Sequence, residues 1–266
     1  MTKTILITGS TDGIGKLTAL KLAKEGHSVY LHGRNADKLS ATISEIKELT
    51  STKNIDGFVA DFSDLKAVKK MAEQVHKEVS KIDVLINNAG IYNSASSQNK
   101  EGLDMRMVVN YLAPYLLTNE LLAILKKGTD SRIINLSSAA QASVSEAVLM
   151  GKQHSSEQET YAQSKLALLL WSFYLAEKEP EIQVIPVNPG SLLNTKMVKE
   201  AFGHHYSSVD KGANILYDLA VSDKFKGATG MYYNNDSGNF GNAHQDAYDP
   251  YKIERLISAT NEILNH

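Results

Sequence analysis

The sequence has no cysteine, few prolines, no excess charge of one sign and no long apolar run. The lack of cysteine excludes disulfide bonds, thiolate nucleophiles and thiolate metal ligands. The 28 lysine and arginine residues nearly balance the 30 aspartate and glutamate residues, so the charge predicts neither a nucleic acid nor an anionic membrane as a partner. The longest continuous apolar stretch, Leu166 to Trp171, is far below the roughly 18 residues that predict a membrane span.

Two further absences concern targeting and metals. No secretory leader is recognisable, because Lys3 leads directly into a predicted strand, and we therefore expect a cytoplasmic protein. The eight histidines include no His-Glu-x-x-His set. His204 and His205 are sequence neighbours that point in different directions, so we expect no metal site.

Short apolar runs alternate with amphipathic stretches, and five prolines are too few to mark a linker between domains. Strands are predicted at 4–8, 28–32, 57–60, 82–86, 132–136, 182–187 and 230–233, and helices at 14–26, 36–49, 64–79, 101–126, 160–178 and 208–221. This order predicts a single three-layer α/β domain over residues 1–266, with a doubly wound, mostly parallel sheet that binds ligands at its carboxyl edge. Segments 139–158, 191–207 and 234–250 have no clear period and are expected to form pocket or lid loops.

The loop between the first predicted strand and helix is rich in glycine. Gly9, Gly13 and Gly15 allow a tight turn and a close approach of the backbone to an anion, which the amides at the helix start then face. The position of this loop favours pyrophosphate binding over a plain structural turn. The expected dinucleotide contacts are Gly9, Ser10, Thr11, Gly13, Ile14 and Gly15.

The end of the second predicted strand bears on the choice between NADP and NAD. An NAD site usually has a carboxylate here, whereas Arg34, followed by Asn35, offers a guanidinium for a 2′-phosphate. We therefore predict NADP (NADPH) as the cofactor, with NAD less favoured, and place both residues in the cofactor site. Asp12 stands where a basic residue would favour NADP, and its other interpretation is an N-cap of the first helix.

Tyr161 and Lys165 are four positions apart in a predicted helix, so their side chains share one face about 6 Å apart along the axis. An adjacent ammonium stabilises a phenolate and lowers its pKa of about 10, which suits proton transfer near neutral pH. The same spacing also occurs in ordinary surface pairs, so the interpretation depends on the surrounding motifs.

Several further motifs follow one another along the chain. They are Thr8-Gly9-x-x-x-Gly13-x-Gly15, Asp61 after the third strand, Asn87-Asn88-Ala89-Gly90 after the fourth, Asn110 in the next helix, Ser138 after the fifth strand, Tyr161-x-x-x-Lys165, and Asn188-Pro189-Gly190 after the sixth. In this order they resemble the short-chain dehydrogenase/reductase family over nearly the whole sequence, and especially its retinol dehydrogenase, carbonyl reductase and daunorubicin ketoreductase-like branch. The resemblance implies a Rossmann fold and hydride transfer with a nicotinamide cofactor.

The resemblance also implies roles for individual residues. Tyr161 would be the general acid/base, Lys165 would hold the nicotinamide ribose and lower the tyrosine pKa, Ser138 would orient the substrate oxygen, and Asn110 would anchor a relay water. Ser137 would make structural contacts instead. Cofactor contacts would come from Asp61, Phe62, Asn88, Ala89, Gly90, Tyr161, Lys165, Pro189, Gly190 and Thr195. Asp61 is alternatively a helix cap, and residues 87–90 are alternatively a plain turn.

Two spacings between motif residues depart from the family pattern. Ser138 and Tyr161 are 23 positions apart, so residues 139–158 hold an extension. Thr195 lies one residue farther from Gly190 than is usual, which puts its cofactor contact in doubt.

The predicted helix that contains Tyr161 is apolar almost all round, with Leu166, Leu168, Leu169, Leu170, Trp171, Phe173, Tyr174 and Leu175. One face covers the sheet, so the other needs a partner. This favours a homo-oligomer over a monomer, although the extension 139–158 is an alternative cover within one chain.

Apolar side chains in the late loops predict a substrate pocket, and ordinary loop packing is the other interpretation. They are Met150, Leu192, Leu193, Met197, Phe202, Tyr206 and Phe240. The sequence therefore predicts an NADP-dependent oxidoreductase that transfers a hydride between the nicotinamide and the carbonyl or hydroxyl carbon of a fairly large, apolar ketone, aldehyde or alcohol. The alternative is a catalytically silent dinucleotide-binding sensor or scaffold on the same fold.

Overall fold

A computed structural model describes residues 1–265, apart from the side chain of Phe202, and all its named strands belong to one sheet. They are β1 (Thr4–Ile7), β2 (Ser28–Gly33), β3 (Ile55–Val59), β4 (Val84–Asn87), β5 (Arg132–Leu136), β6 (Gln183–Asn188), β7 (Tyr233–Asn234) and β8 (Asn239–Phe240). Their order in the sheet is β3-β2-β1-β4-β5-β6-β7-β8. Every pairing is parallel except that of β7 with β8. The predicted doubly wound, mostly parallel α/β fold is confirmed.

Helices cover both faces of this sheet. They are α1 (Gly13–Lys24), α2 (Ala36–Thr50), α3 (Leu65–Glu78), α4 (Met105–Met107), α5 (Ala113–Leu125), α6 (Glu146–Leu149), α7 (Glu157–Lys178), α8 (Lys196–Phe202), α9 (Val209–Val221) and α10 (Pro250–Leu264). Alternate strand residues enter opposite cores. Leu6 and Leu85 pack with α3, α5, α7 and α10, whereas Ile7 and Ile86 pack with α1, α2 and α9. Burial on both faces explains why the strands appear in the sequence as continuous apolar runs.

The order in which the chain adds strands to the sheet reverses between β1 and β4. From β1 the chain proceeds outward through β2 and β3, and from β4 it proceeds the other way through β5 and β6. The loops that leave β1 and β4 therefore diverge, and a crevice opens beyond their carboxyl ends.

The helices α4 and α5 form one continuous helical run, Met105–Leu125, with a π-helical turn at Val108–Leu112 between them. By length and composition this run could cross a membrane, but 78% of its most apolar window is buried inside the fold, as in a core helix. Pro114 explains the widened turn. It has no N–H to donate to the carbonyl of Asn110 four residues earlier, and its ring would collide with that carbonyl in a regular α-helix.

The sequence analysis missed α10 and the short elements α6, α8 and β8. The α10 helix begins after Asp249, whose side chain accepts hydrogen bonds from the Tyr251 and Lys252 amides. It packs on α7 in the same core as Trp171 and Leu256. The apolar face of α7 that favoured a homo-oligomer is thus covered within one chain, by α10 rather than by the extension alone. The last strand of the parallel set lies at Tyr233–Asn234 instead of 230–233.

Candidate active site

A cleft of about 740 Å³ opens at the carboxyl ends of the central strands. Most predicted site residues line it, namely Gly9, Thr11, Gly13, Ile14, Arg34, Asp61, Phe62, Asn88, Ala89, Gly90, Ser138, Tyr161, Lys165, Pro189, Gly190 and Thr195. Ser10, Gly15, Asn35 and Asn110 are not among the residues that line it. The fold therefore brings together, in one cavity, two sets of residues that are far apart in the sequence.

The glycine loop lies directly against the loop that follows β4. Gly9 has a φ of +62°, and a Cβ there would lie 2.7 Å from the Cα of Ala89. A Cβ on Gly15 would lie 2.5 Å from the side-chain Nδ2 of Asn88 and 2.7 Å from the Gly9 carbonyl oxygen. Both contacts are shorter than real Cβ contacts, so only glycine fits at these two positions.

Asn88 and Thr8 join these two loops. The Asn88 Nδ2 donates to the carbonyls of Thr8 and Gly9, each at 2.8 Å. In return, the Thr8 hydroxyl accepts from the backbone amides of Asn88 and Ala89, each at 3.0 Å. Residues 87–90 are therefore more than a plain turn, because they hold the glycine loop in place.

Basic side chains lie at one end of the cleft, beside Arg34. Lys38 in α2 also lines the cavity, and its Nζ contacts the Asp12 carboxylate at 2.8 Å. This hydrogen bond with Lys38 lowers the pKa of the Asp12 carboxyl. Asp12 also accepts from the Gly13 amide, which confirms its interpretation as the N-cap of α1. Asn35 caps α2 through the Lys38 amide, at 2.8 Å, so its side-chain oxygen is engaged outside the cleft walls.

Asp61 is not a helix cap. Its Oδ1 accepts from the amide and the hydroxyl of Ser63, at 2.9 and 2.8 Å, whereas α3 is capped by Asp64. Asp61 and Phe62 both line the cleft where β3 ends.

Tyr161, Ser138 and Lys165 meet at the other end of the cleft. The Lys165 Nζ lies 5.7 Å from the centre of the Tyr161 ring and donates to the Leu136 carbonyl at 2.8 Å. Ser138 is hydrogen-bonded to Tyr161. The hydroxyl of Ser137 donates instead to the Lys165 carbonyl, which confirms its predicted structural role.

Burial dominates the proton affinities of this group. It raises the pKa of the Tyr161 phenol, and the hydrogen bond with Ser138 opposes part of that rise. It lowers the pKa of the Lys165 ammonium to about 8. The phenol pKa thus shifts in the direction opposite to the one expected from the lysine, because desolvation of the phenolate outweighs the hydrogen bond with Ser138.

Asn110 lies in the π-helical turn, and its side chain is fully engaged. Its Oδ1 accepts from the Ile91 amide at 2.8 Å, and its Nδ2 donates to the Ile91 carbonyl and the Ser164 hydroxyl, both at 3.0 Å. The Asn110 side chain therefore positions the loop after β4.

The loop after β6 forms the wall beyond Tyr161. Asp236 accepts from the Asn188 Nδ2 at 2.8 Å and from the Ser191 amide at 2.9 Å, and Asn235 donates to the Pro189 carbonyl at 2.8 Å. Although burial acts to raise it, these hydrogen bonds leave the pKa of Asp236 lowered. The sequence analysis missed this support, which comes from residues more than forty positions away. Thr195 lines the cleft, and its hydroxyl caps α8 by accepting from the Val198 amide.

Apolar side chains also line the cleft. They are Ile91, Tyr92, Met105, Val109, Leu193, Met197 and Val198. Of the seven predicted pocket residues, only Leu193 and Met197 are among them, and the side chain of Phe202 lies outside the described part of the chain. Tyr206 is 78% exposed, and Phe240 packs on Phe225 and Tyr233. Tyr92, which no motif indicated, lies with its ring centre 4.9 Å from that of Tyr161.

No metal-binding cluster occurs in the part of the chain that the structure describes. Within residues 1–265, no three His, Asp or Glu side chains come together in a way that could hold an ion. The cleft does hold a phenol, a hydroxyl and an ammonium beside the glycine loop.

Comparisons with known proteins agree with this arrangement. The family model described as short chain dehydrogenase matches residues 3–205. Mouse retinol dehydrogenase 13 is 31% identical over 250 residues, covering 87% of this chain and 75% of that protein. A Streptomyces protein that bears the name daunorubicin C-13 ketoreductase DnrU is 31% identical over 243 residues, covering 88% and 83%. A Shigella flexneri short chain dehydrogenase, solved in complex with NADP, is 27% identical with a TM-score of 0.71, covering 89% of this chain and 98% of that one.

Proposed function

The chain belongs to the short-chain dehydrogenase family of oxidoreductases, and on this premise we propose that it is an NADP-dependent reductase or dehydrogenase for apolar ketones, aldehydes or alcohols. A small organic substrate is consistent with the relatives, and the finer assignment rests on the cleft. The observation that carries the proposal is that Tyr161, Ser138 and Lys165 open into the same cavity as the glycine loop.

The residues present fit a dinucleotide. The backbone at Gly9 and Gly15 is so close to Ala89 and Asn88 that a side chain would fill the cradle, and the start of α1 beside it is the kind of place where a pyrophosphate binds. Gly9, Gly13 and Ile14 would hold the phosphates, Asp61 and Phe62 the adenine side, and Lys165 the nicotinamide ribose. When bound, the reduced nicotinamide supplies the hydride that the substrate carbon accepts.

Tyr161 is the proton donor in this proposal. Ser138 orients the substrate oxygen and, through its hydrogen bond with Tyr161, makes the phenolate less costly. Burial raises the pKa of the Tyr161 phenol, so at neutral pH the phenol carries the proton that a carbonyl oxygen would accept during reduction. A water held at Asn110, as the family resemblance implies, would return the proton to Tyr161.

Two basic side chains support NADP over NAD. Arg34 lines the cleft at the end of β2, and Lys38 lies on the same wall. Because Lys38 is paired with Asp12, the acidic residue in the glycine loop is already neutralised and does not repel a 2′-phosphate. The NADP complex of the Shigella relative is consistent with this choice.

An apolar substrate is supported by the apolar part of the cleft lining. Ile91, Met105, Val109 and Met197 line the same cavity as Ser138 and Tyr161. A cytoplasmic location remains a prediction from the sequence.

Loss of NADPH absorbance, followed with a panel of apolar ketones and aldehydes, tests the proposal. Tyr161→Phe should retain NADPH binding and lose nearly all turnover, because the phenylalanine cannot donate a proton. Tyr251→Phe is the matched control, because Tyr251 is 64% exposed on α10 and removed from the cleft. Turnover that survives in Tyr161→Phe would refute the assigned role, and NADPH binding without turnover of any substrate by the wild-type chain would favour a silent sensor.

A further inference from the structure

His32 is a buried histidine in the wall of the cleft, and none of the roles above uses it. It lies near the end of β2, is 3% exposed, and lines the cavity between the glycine loop and the end of β3. A buried polar ring in such a place needs partners for both of its nitrogens.

The partners of His32 determine its protonation. The Gly9 amide donates to Nδ1 at 3.0 Å, so that nitrogen carries no proton. The other nitrogen, Nε2, lies 3.0 Å from the carbonyl of Ala60 and must therefore be the donor. A neutral imidazole with its proton on Nε2 satisfies both groups, whereas an imidazolium would turn an N–H toward the Gly9 N–H.

The electrostatic surroundings agree with a neutral ring. Burial lowers the pKa of His32 to about 4, and the Ala60 carbonyl and Asp61 oppose part of this shift. The other charged groups on this part of the cleft are Asp12 of the glycine loop, Arg34 beyond β2 and Lys38 of α2.

Further contacts connect His32 to both neighbouring segments. Its backbone exchanges hydrogen bonds with Ser10, since the Ser10 amide donates to the His32 carbonyl and the His32 amide donates to the Ser10 hydroxyl, both at 2.9 Å. Its ring stacks on Phe62 with 4.1 Å between centres. His32 thus connects Gly9, which would face the pyrophosphate, with Phe62, which would face the adenosine.

We propose that His32 is the positioning residue of the adenosine end of the cleft, and that its bare Nδ1 sets NADPH affinity by holding the Gly9 amide. This inference rests on the proposed function, because it concerns the same cofactor. Gly9 adopts a left-handed φ, and without an acceptor its part-buried amide loses its partner unless the loop moves away from the pyrophosphate position. The cofactor must then restore that conformation on binding, and affinity falls while the reacting end of the cleft is unchanged.

Three variants of the full chain separate the two nitrogens. His32→Asn places an amide oxygen close to the position of Nδ1 and can still accept from Gly9, whereas His32→Gln reaches the position of Nε2 and can still donate to Ala60. His32→Leu is similar in size and makes neither bond. The dissociation constant for NADPH is measured by calorimetry, together with Tm and with kcat at saturating cofactor.

We expect NADPH affinity to fall about tenfold in His32→Leu and in His32→Gln, and to stay within roughly threefold of wild type in His32→Asn. The kcat at saturation should change little in all three. Equal affinities for His32→Asn and His32→Gln, or a loss of affinity that follows the loss in Tm across the series, would overturn the inference. If His32→Leu does not fold, the comparison of the Asn and Gln variants still decides it. A wild-type chain that does not bind NADPH would overturn the proposed function as well, whereas equal variants of a wild type that binds it would overturn this inference alone.

Discussion

The contact between the glycine loop and the loop after β4 predicts how the protein responds to Gly9→Ala. A Cβ at this position would lie 2.7 Å from the Cα of Ala89 and 3.1 Å from its amide nitrogen, so the obstacle is backbone and cannot rotate away. The φ of +62° adds a second penalty, because an alanine in the left-handed region costs roughly 1–2 kcal/mol. Overpacking of this kind costs roughly another 1–3 kcal/mol. The free energy of unfolding should therefore fall by about 2–5 kcal/mol.

Gly26→Ala is the matched control. Gly26 also has a positive φ, +82°, but a Cβ there would meet nothing within 4 Å. It should lose only the conformational share, about 1–2 kcal/mol, and the effect of the substitution on the unfolded chain is the same in both variants. The difference between the two variants isolates the steric contact with Ala89.

Denaturant unfolding of both variants, with and without NADPH, measures these quantities. Gly9→Ala should also weaken NADPH binding, because relief of the clash moves the loop that would hold the pyrophosphate. Equal losses of unfolding free energy in Gly9→Ala and Gly26→Ala would refute the close approach of the two loops. A Gly9→Ala variant that binds NADPH as tightly as wild type would remove this loop from the cofactor site.

Two further predictions concern the same end of the cleft. Arg34→Asp should lower the NADP-to-NAD ratio of catalytic efficiencies at least about tenfold, since a guanidinium–phosphate contact is replaced by repulsion; an unchanged ratio in steady-state kinetics would remove Arg34 from this role. The pKa of His32 in the folded chain is about 4, below its ordinary value of 6.5, so between these values the unfolded chain binds a proton that the folded chain does not bind. The stability that His32 contributes is therefore present above about pH 6.5 and is lost as the pH falls toward 4. Urea midpoints between pH 7 and pH 5 should fall more steeply for wild type than for His32→Asn, and parallel curves would contradict the neutral buried imidazole.

Local features of the sequence were sufficient to identify the main parts of the site. The glycine loop, Arg34 at the end of a strand, and Tyr161 four residues before Lys165 all depend on residues that are near neighbours in the chain. A strand or a helix is specified by a period of two or 3.6 residues, so the central elements and their order were predicted closely. Most of the residues that the motifs predicted for cofactor binding and catalysis line the cleft that the structure contains.

Other features required contacts between distant segments. The helix α10 was missed although Asp249 and Pro250 are signals for a helix start. What α10 packs against is α7, which lies about eighty residues earlier in the chain, and the local sequence does not show that contact. Most of the predicted pocket residues lie elsewhere, because loops without a period do not reveal which side chains turn inward. Tyr92 was missed for the same reason, since only packing places its ring beside Tyr161.

The sequence by itself determined the alternation of strands and helices, the glycine cradle and the paired tyrosine and lysine, because each depends on backbone geometry or side-chain spacing within a few residues. Only the tertiary structure decided that Asn110 is engaged with Ile91, that His32 joins Gly9 to Ala60, and that burial raises the pKa of Tyr161. Solvation and hydrogen-bond partnership depend on every segment that surrounds a group. Those surroundings exist only after strands and loops from different parts of the chain have packed together.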